Sequence, residues 1–201
     1  MSRHPISARE ARQRLEQGNA RFASNLRSVQ ALTSQAHQAH LVSGQSPFAI
    51  VLSCSDSRVP SELVFDCGLG DLFVVRVAGN IVAPSLIGSV EFAASVFGTE
   101  LVVVMGHTGC GAVSATLETL DHKHEPASTN IRDIVERIAP AVCDIGMGEG
   151  RLNRAVRANV RASVSQLRHG SRILEQRVID GTLEVVGAEY NLETGRVAFL
   201  E

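Results

Sequence analysis

The chain has no Trp, one Tyr and seven Phe in 201 residues. Aliphatic side chains must therefore fill its core, and a hydrophobic fraction of 44% supplies them. Four Cys are too few for a disulfide scaffold. In a reducing compartment, a Cys with a function points to metal binding or catalysis. A formal net charge of −2 gives no reason to expect nucleic acid or an acidic surface as partner. No apolar run approaches the roughly 18 residues of a membrane span. The start, "MSRHPISARE", lacks the apolar stretch of a secretory signal. These absences leave a cytoplasmic globular protein as the expectation, with no membrane and no nucleic acid. The one local bias is basic: residues 1–27 hold six Arg against two Glu, which reads as a solvated helix face.

What is present alternates. Ser7 and Glu10 form a capping-box pattern ahead of Ala8, Ala11, Leu15 and Phe22 at helical spacing, so a first helix runs from about Ala8 into the twenties. Residues 28–46 are polar, with a short helix expected before Gly44. Three apolar runs, Phe48–Cys54, Leu72–Val77 and Leu101–Met105, suit strands buried on both faces. Helices are predicted from Pro84 to a stop at Gly98, and from about Gly111 to Leu120. Three more follow: from an Asn130 cap through Ile138, ended by Pro140; from about Leu152 to His169; and from Ser171 to before Gly181. Leu183–Tyr190 is a fourth strand, and "NLETG" turns into a terminal hairpin strand, "RVAFL". The pattern predicts one α/β domain over 1–201, with a helical arm at 1–46 and a core at 47–201. Its central sheet is mostly parallel and flanked by helices.

Two short stretches carry chemistry: "CSDSR" at 54–58 and "HTGCG" at 107–111. Each follows an apolar strand, at the sheet edge where α/β proteins build sites. Gly109 and Gly111 relax the backbone between and beyond His107 and Cys110. Cys54, His107 and Cys110 make a set of two thiolates and one imidazole, which suits zinc. A helix start at Cys110 favours its thiolate. Three protein ligands leave a fourth place open, as catalytic zinc sites do. Water or Asp56 is the candidate for it, and Arg58 can hold Asp56 in a bidentate pair. The plainer reading, buried thiols and a backbone-bonded His, leaves their shared place at strand ends unexplained. Cys67 and Cys143 read as packing residues. His4, His122, His124 and His169 read as surface residues, and His37 with His40 as a weak second-metal pair at helical spacing.

These residues also carry a resemblance. C-x-D-x-R followed by H-x-x-C resembles the β-class carbonic anhydrases, most closely the bacterial type. "LEQGNARF" at 15–22, "GQSP" at 44–47, "GDLFVVRVAGN" at 70–80, "GSVEFA" at 88–93, "IRDIVERIAP" at 131–140 and "VVGAEYNLETG" at 185–195 extend it along the chain. The resemblance implies one Zn2+ per subunit on Cys54, His107 and Cys110, and an Asp56–Arg58 dyad. In a closed state Asp56 would become the fourth ligand. It implies a pocket that includes Gln45, Phe73, Phe92 and Gly111, with Gln45 reaching in from a neighbouring subunit. Phe92 stands where the family often has Tyr. It further implies a homodimer or tetramer in which the N-terminal helix packs on the partner subunit. A Trp-based bicarbonate regulatory pocket found in some members does not carry over to a chain without Trp.

The implied reaction is reversible hydration of carbon dioxide to bicarbonate and a proton, by attack of zinc-bound hydroxide oriented by the Asp–Arg dyad. Two thiolates formally cancel the charge of Zn2+, so its water is less acidic than on three imidazoles, where the pKa is about 7. A rate that rises toward alkaline pH is therefore expected. Two other readings remain: a COS or CS2 hydrolase on the same scaffold, and a non-catalytic module with structural zinc.

Overall fold

The computed structural model describes residues 6–28, 42, 44–122 and 125–200. Ser7 opens the first helix as the sequence predicts, its hydroxyl accepting the Glu10 N–H at 3.2 Å. This helix, α1 (Ala8–Ala23), leads to β1 (Ala49–Ser53), a one-turn α2 (Ser61–Val64) and β2 (Leu72–Arg76). A tight turn at Ala78–Asn80 precedes α3 (Pro84–Phe97), β3 (Leu101–His107) and α4 (Gly111–Leu120). Then come α5 (Thr129–Val142), α6 (Arg151–His169), α7 (Arg172–Ile179), β4 (Glu184–Tyr190) and β5 (Val197–Leu200).

The strands form one sheet in the order β2-β1-β3-β4-β5, parallel except for β5, which folds back antiparallel on β4. All five residues of β1 and all seven of β3 are buried, so both faces of the sheet centre are covered. Val51, Val103, Met105 and Val186 pack on one face with Ala11 and Leu15 of α1. Ile50, Leu52, Val102, Val104 and Val185 pack on the other with Val90 of α3, Val160 and Leu167 of α6, and Leu174 of α7. A third apolar cluster joins Cys54 and Cys110 to Val113, Ile138 and Val156 beyond the C-terminal ends of the strands.

Two expectations change. Helix α5 starts at a Ser128 cap, whose hydroxyl accepts the Ile131 N–H, rather than at Asn130. It also runs past Pro140 to Val142, because Val135, Ile138 and Val142 keep one buried stripe and Pro140 falls in the exposed last turn. The apolar stripe of α1 is buried within the chain: Ala11 and Leu15 are fully covered. Asn19 Nδ2 donates to the carbonyls of Val64 and Gly195. Only the outer, charged face of α1 is left for a partner. The short helix expected before Gly44 and the His37–His40 pair lie outside the described residues.

An ion pair also fastens α1. Arg21 Nε donates to the fully buried Asp66 carboxylate at 2.6 Å, and the Ser28 N–H donates to the same group. Burial pushes the Asp66 pKa up, but Arg21 and the Ser28 N–H outweigh it and hold it below its ordinary value. A lowered folded pKa stabilises the fold above the unfolded value of about 3.9 and loses that contribution as pH falls through the folded value. Arg21→Ala leaves a buried carboxylate with weaker partners and should cost about 2 kcal/mol at pH 7. Urea titrations of both proteins check this: the gap between them should close as the pH drops below about 4.

Candidate metal centre

β1 and β3 are neighbours in register, with Ser53 beside Met105. Cys54 follows β1 directly, and His107 is the last residue of β3. The topology thus brings together two side chains that stand 53 positions apart in the chain. Gly109 has φ 67, a left-handed conformation that glycine adopts without strain, and it turns the chain so that Cys110 becomes the N-cap of α4. Gly111 takes ordinary helical backbone, so the freedom expected of it is not used. The ligand atoms of Cys54, His107 and Cys110 all lie within 4.8 Å of one another, and all three side chains are buried. Both thiols are free.

The electrostatics of the cluster favour a cation. His107 Nδ1 lies 3.0 Å from the Thr108 carbonyl oxygen, which can only accept, so Nδ1 carries the proton and Nε2 is turned inward. Nε2 is buried without a hydrogen-bond partner. Burial opposes charge on this ring, yet the Cys54 sulfur, the Thr108 carbonyl and Asp56 outweigh it and raise its pKa. Of the two thiols, Cys54 is the stronger acid, because Cys110 donates to it and the backbone N–H groups of Asp56 and Gly79 point at its sulfur at 3.4 Å. Its hydrogen bond to Cys54, together with burial, pushes Cys110 the other way. The N–H groups of Ala112 and Val113 at the helix start favour the Cys110 thiolate, as expected, but do not outweigh those two effects. A buried, unpartnered imidazole nitrogen facing two sulfurs is a donor set that fits zinc.

Asp56 stands beside this trio. Arg58 grips its carboxylate with Nε at 2.9 Å and Nη2 at 2.7 Å, and the Arg58 N–H adds a third bond at 3.0 Å. The guanidinium holds the Asp56 carboxyl well below the usual carboxylate range. Asp56 Oδ2 lies 3.9 Å from His107 Nε2. Here the carboxylate is committed to Arg58.

Three supports gave little warning in the sequence. Arg76 donates to the carbonyls of Cys54 and Asp56. Asn159, on α6, donates to the Gly79 carbonyl at 2.7 Å, and Ser163 to the Asn80 carbonyl. The one available signal was the charge that ends the apolar run "LFVVR", whose Arg76 pairs with Ser53 just before Cys54.

The remaining predicted pocket residues are placed differently. Gly111 is the exposed first residue of α4, next to Cys110. Gln45 is exposed and precedes β1, at the end of the sheet opposite Cys54. Phe73 pairs with Ile50 and stands three residues before Arg76, about 10 Å down the strand. It forms an aromatic cluster with Phe92 and Phe97, and Phe92 is 52% exposed. Within this chain these three do not meet the metal cluster. Cys67 is partly buried as expected, and burial pushes its thiol up to about 12. Cys143 is exposed, not packed, with its sulfur near the Pro140 carbonyl. His122 and His169 are exposed, and His169 pairs with Glu175.

Comparison with known proteins agrees with this geometry. The carbonic anhydrase family model matches residues 49–197. Carbonic anhydrase 2 of Mycobacterium tuberculosis is 39% identical over 195 residues, covering 96% of this chain and 91% of that protein. The carbonic anhydrase of Mycolicibacterium smegmatis is 40% identical over 196 residues, covering 96% and 92%. Among solved structures, the β-carbonic anhydrase CcaA superposes with a TM-score of 0.75 at 27% identity, covering 94% of this chain and 95% of that one. No helix among the described residues is long and apolar enough to cross a membrane. With its parallel sheet, its Cys–His–Cys cluster and relatives matched over nearly their whole length, the chain belongs to the β-carbonic anhydrase family of enzymes.

Proposed function

We propose that the chain catalyses zinc-dependent, reversible hydration of CO2, with Cys54, His107 and Cys110 holding one ion per subunit. The observation that carries this is the convergence of three buried ligand atoms on one point, with His107 Nε2 otherwise unpartnered. When bound, zinc supplies the nucleophile by lowering the pKa of a coordinated water. Asp56, kept ionised by Arg58, offers Oδ2 as a hydrogen-bond acceptor for solvent beside the ligands and orients its lone pair toward CO2. Leaving Arg58 to become a ligand would cost Asp56 its two charge-assisted bonds, so closure of that kind competes with the dyad. The apolar cluster around Cys54 and Cys110 keeps the surroundings dry and strengthens these interactions. His107 is occupied by the ion, so buffer or a surface group carries the proton away.

The pocket reading requires a second copy. Gln45, Phe73 and Phe92 lie away from their own chain's cluster, and exposed Gln45 and Phe92 are free to line that of a neighbour. A homodimer, or a tetramer built from dimers, follows from this reading.

Stopped-flow CO2 hydration against pH, with metal analysis of the same sample, tests the proposal. Asp56→Ala should keep its zinc and lose about a hundredfold in rate. The wild-type rate should rise toward alkaline pH. Full activity in Asp56→Ala, or hydrolysis of CS2 with no hydration of CO2, would refute this assignment.

A further inference from the structure

Cys54 and Asp56 sit on the same short turn, which leaves the sheet at the end of β1. The parallel ladder with β2 reaches just into it: Ser55 N–H donates to the Val77 carbonyl, and Val77 N–H to the Ser53 carbonyl. Beyond those bonds the turn is held by Arg76, the last residue of the outermost strand. Its Nε donates to the Cys54 carbonyl at 3.1 Å, and its Nη2 to the Asp56 carbonyl at 2.7 Å, an oxygen that also accepts the Val59 N–H. A rigid guanidinium fork thus spans two carbonyls two residues apart. The neighbouring Arg58 takes the Asp56 carboxylate instead. The two arginines divide the turn: one fixes its side chain, the other its backbone.

We propose that Arg76 is a positioning residue for the metal centre: by clamping both carbonyls it fixes the turn that presents Cys54 and Asp56, and so sets how tightly the ion is held. The proposal rests on the reading of Cys54, His107 and Cys110 as ligands. The clamped peptide units adjoin the ones that aim the Asp56 N–H at the Cys54 sulfur, 3.4 Å away. Releasing the clamp loosens the sulfur's direction and its hydrogen bond together. Partners that orient metal ligands from behind are typically worth 10–100-fold in affinity. Lysine has a single ammonium on a flexible stem and cannot reproduce the fork.

The test is zinc affinity, measured by competition with a chromophoric chelator, and the absorption of the Co2+-loaded protein, which reports thiolate ligation. Wild type, Arg76→Ala, Arg76→Lys and Cys54→Ala are compared. Arg137→Ala is the matched control, because Arg137 also donates to a backbone carbonyl, that of Val82, away from the ligands. Arg76→Ala should bind zinc about 10–100-fold more weakly and shift the Co2+ spectrum, with Arg76→Lys in between and Arg137→Ala unchanged. If Cys54→Ala loses metal while both Arg76 variants bind like wild type, the clamp has no such role. If Arg137→Ala weakens binding as much, the effect is general destabilisation and the proposal fails. If Cys54→Ala keeps its metal, the ligand assignment itself is wrong. Should Arg76→Ala not fold, Arg76→Lys and Arg76→Gln decide by the same readouts.

Discussion

Cys110→Ser should strip the protein of its zinc and bring CO2 hydration down to the uncatalysed rate. The substitution changes little in size at a side chain that is 1% exposed. It replaces a soft ligand that ionises when a metal binds with a hydroxyl that stays protonated near neutrality. Two ligands remain where three converged, and one of the two formal negative charges is gone. The loss should exceed the ~10–100-fold expected for a supporting residue. Metal analysis after dialysis and stopped-flow hydration on the same sample check it. Circular dichroism should stay unchanged, since the Cys110 side chain makes no capping hydrogen bond to α4. A Ser variant that keeps one zinc per chain and most of its rate would remove Cys110 from the ligand set.

Gly106→Ala should cost about 3 kcal/mol, the upper part of the overpacking range, and about 10 °C in melting temperature. Gly106 lies in β3, next to His107, under α6. A Cβ there would come within 2.5 Å of Val160 Cγ2 and 3.2 Å of Val156 Cγ1. Both neighbours are β-branched and locked in the core, so neither can swing aside. On the adjacent strand, a Cβ on Gly187 would meet the other methyl of Val160 at 2.9 Å. Val160 therefore sits in a trough cut by two glycines. Trimming it should relieve the clash: in a double-mutant cycle with Val160→Ala, part of the Gly106→Ala loss should return, with a coupling of about 1–2 kcal/mol. Thermal and urea unfolding of the four proteins measure this, and strict additivity would show that the clash is absorbed elsewhere. Because β3 also carries His107, the single variant should lose metal affinity along with stability.

Legibility followed the range of the interaction. The strands and most helices showed in local pattern: buried runs such as Leu101–Met105, the Ser7 cap, Pro84 at one end of α3 and Gly98 at the other. The ligand trio was readable because two strand ends each carried soft donors, the second of them among glycines. What was missed depends on distant backbone. Arg76 reaches 22 residues back to the Cys54 carbonyl, and Asn159 reaches 80 residues back to that of Gly79, and no spacing rule announces either bond. Helix α2 is a single turn, too short for a periodic signal. Pro140 misled because the residue type argues for a stop, while the buried stripe through Val142 prolongs the helix. The amphipathic α1 was legible as a helix, but amphipathicity does not say whose core it covers.

The strand order has a kinetic corollary. A socket whose two walls stand 53 residues apart forms only after β1 and β3 have aligned, which requires closing a long loop before any bond across it compensates. Of the three side chains, only His107 and Cys110 are near neighbours in the unfolded chain. On the proposed ligand assignment, an ion would thus be a late guest during refolding, captured by a scaffold that has already found its topology.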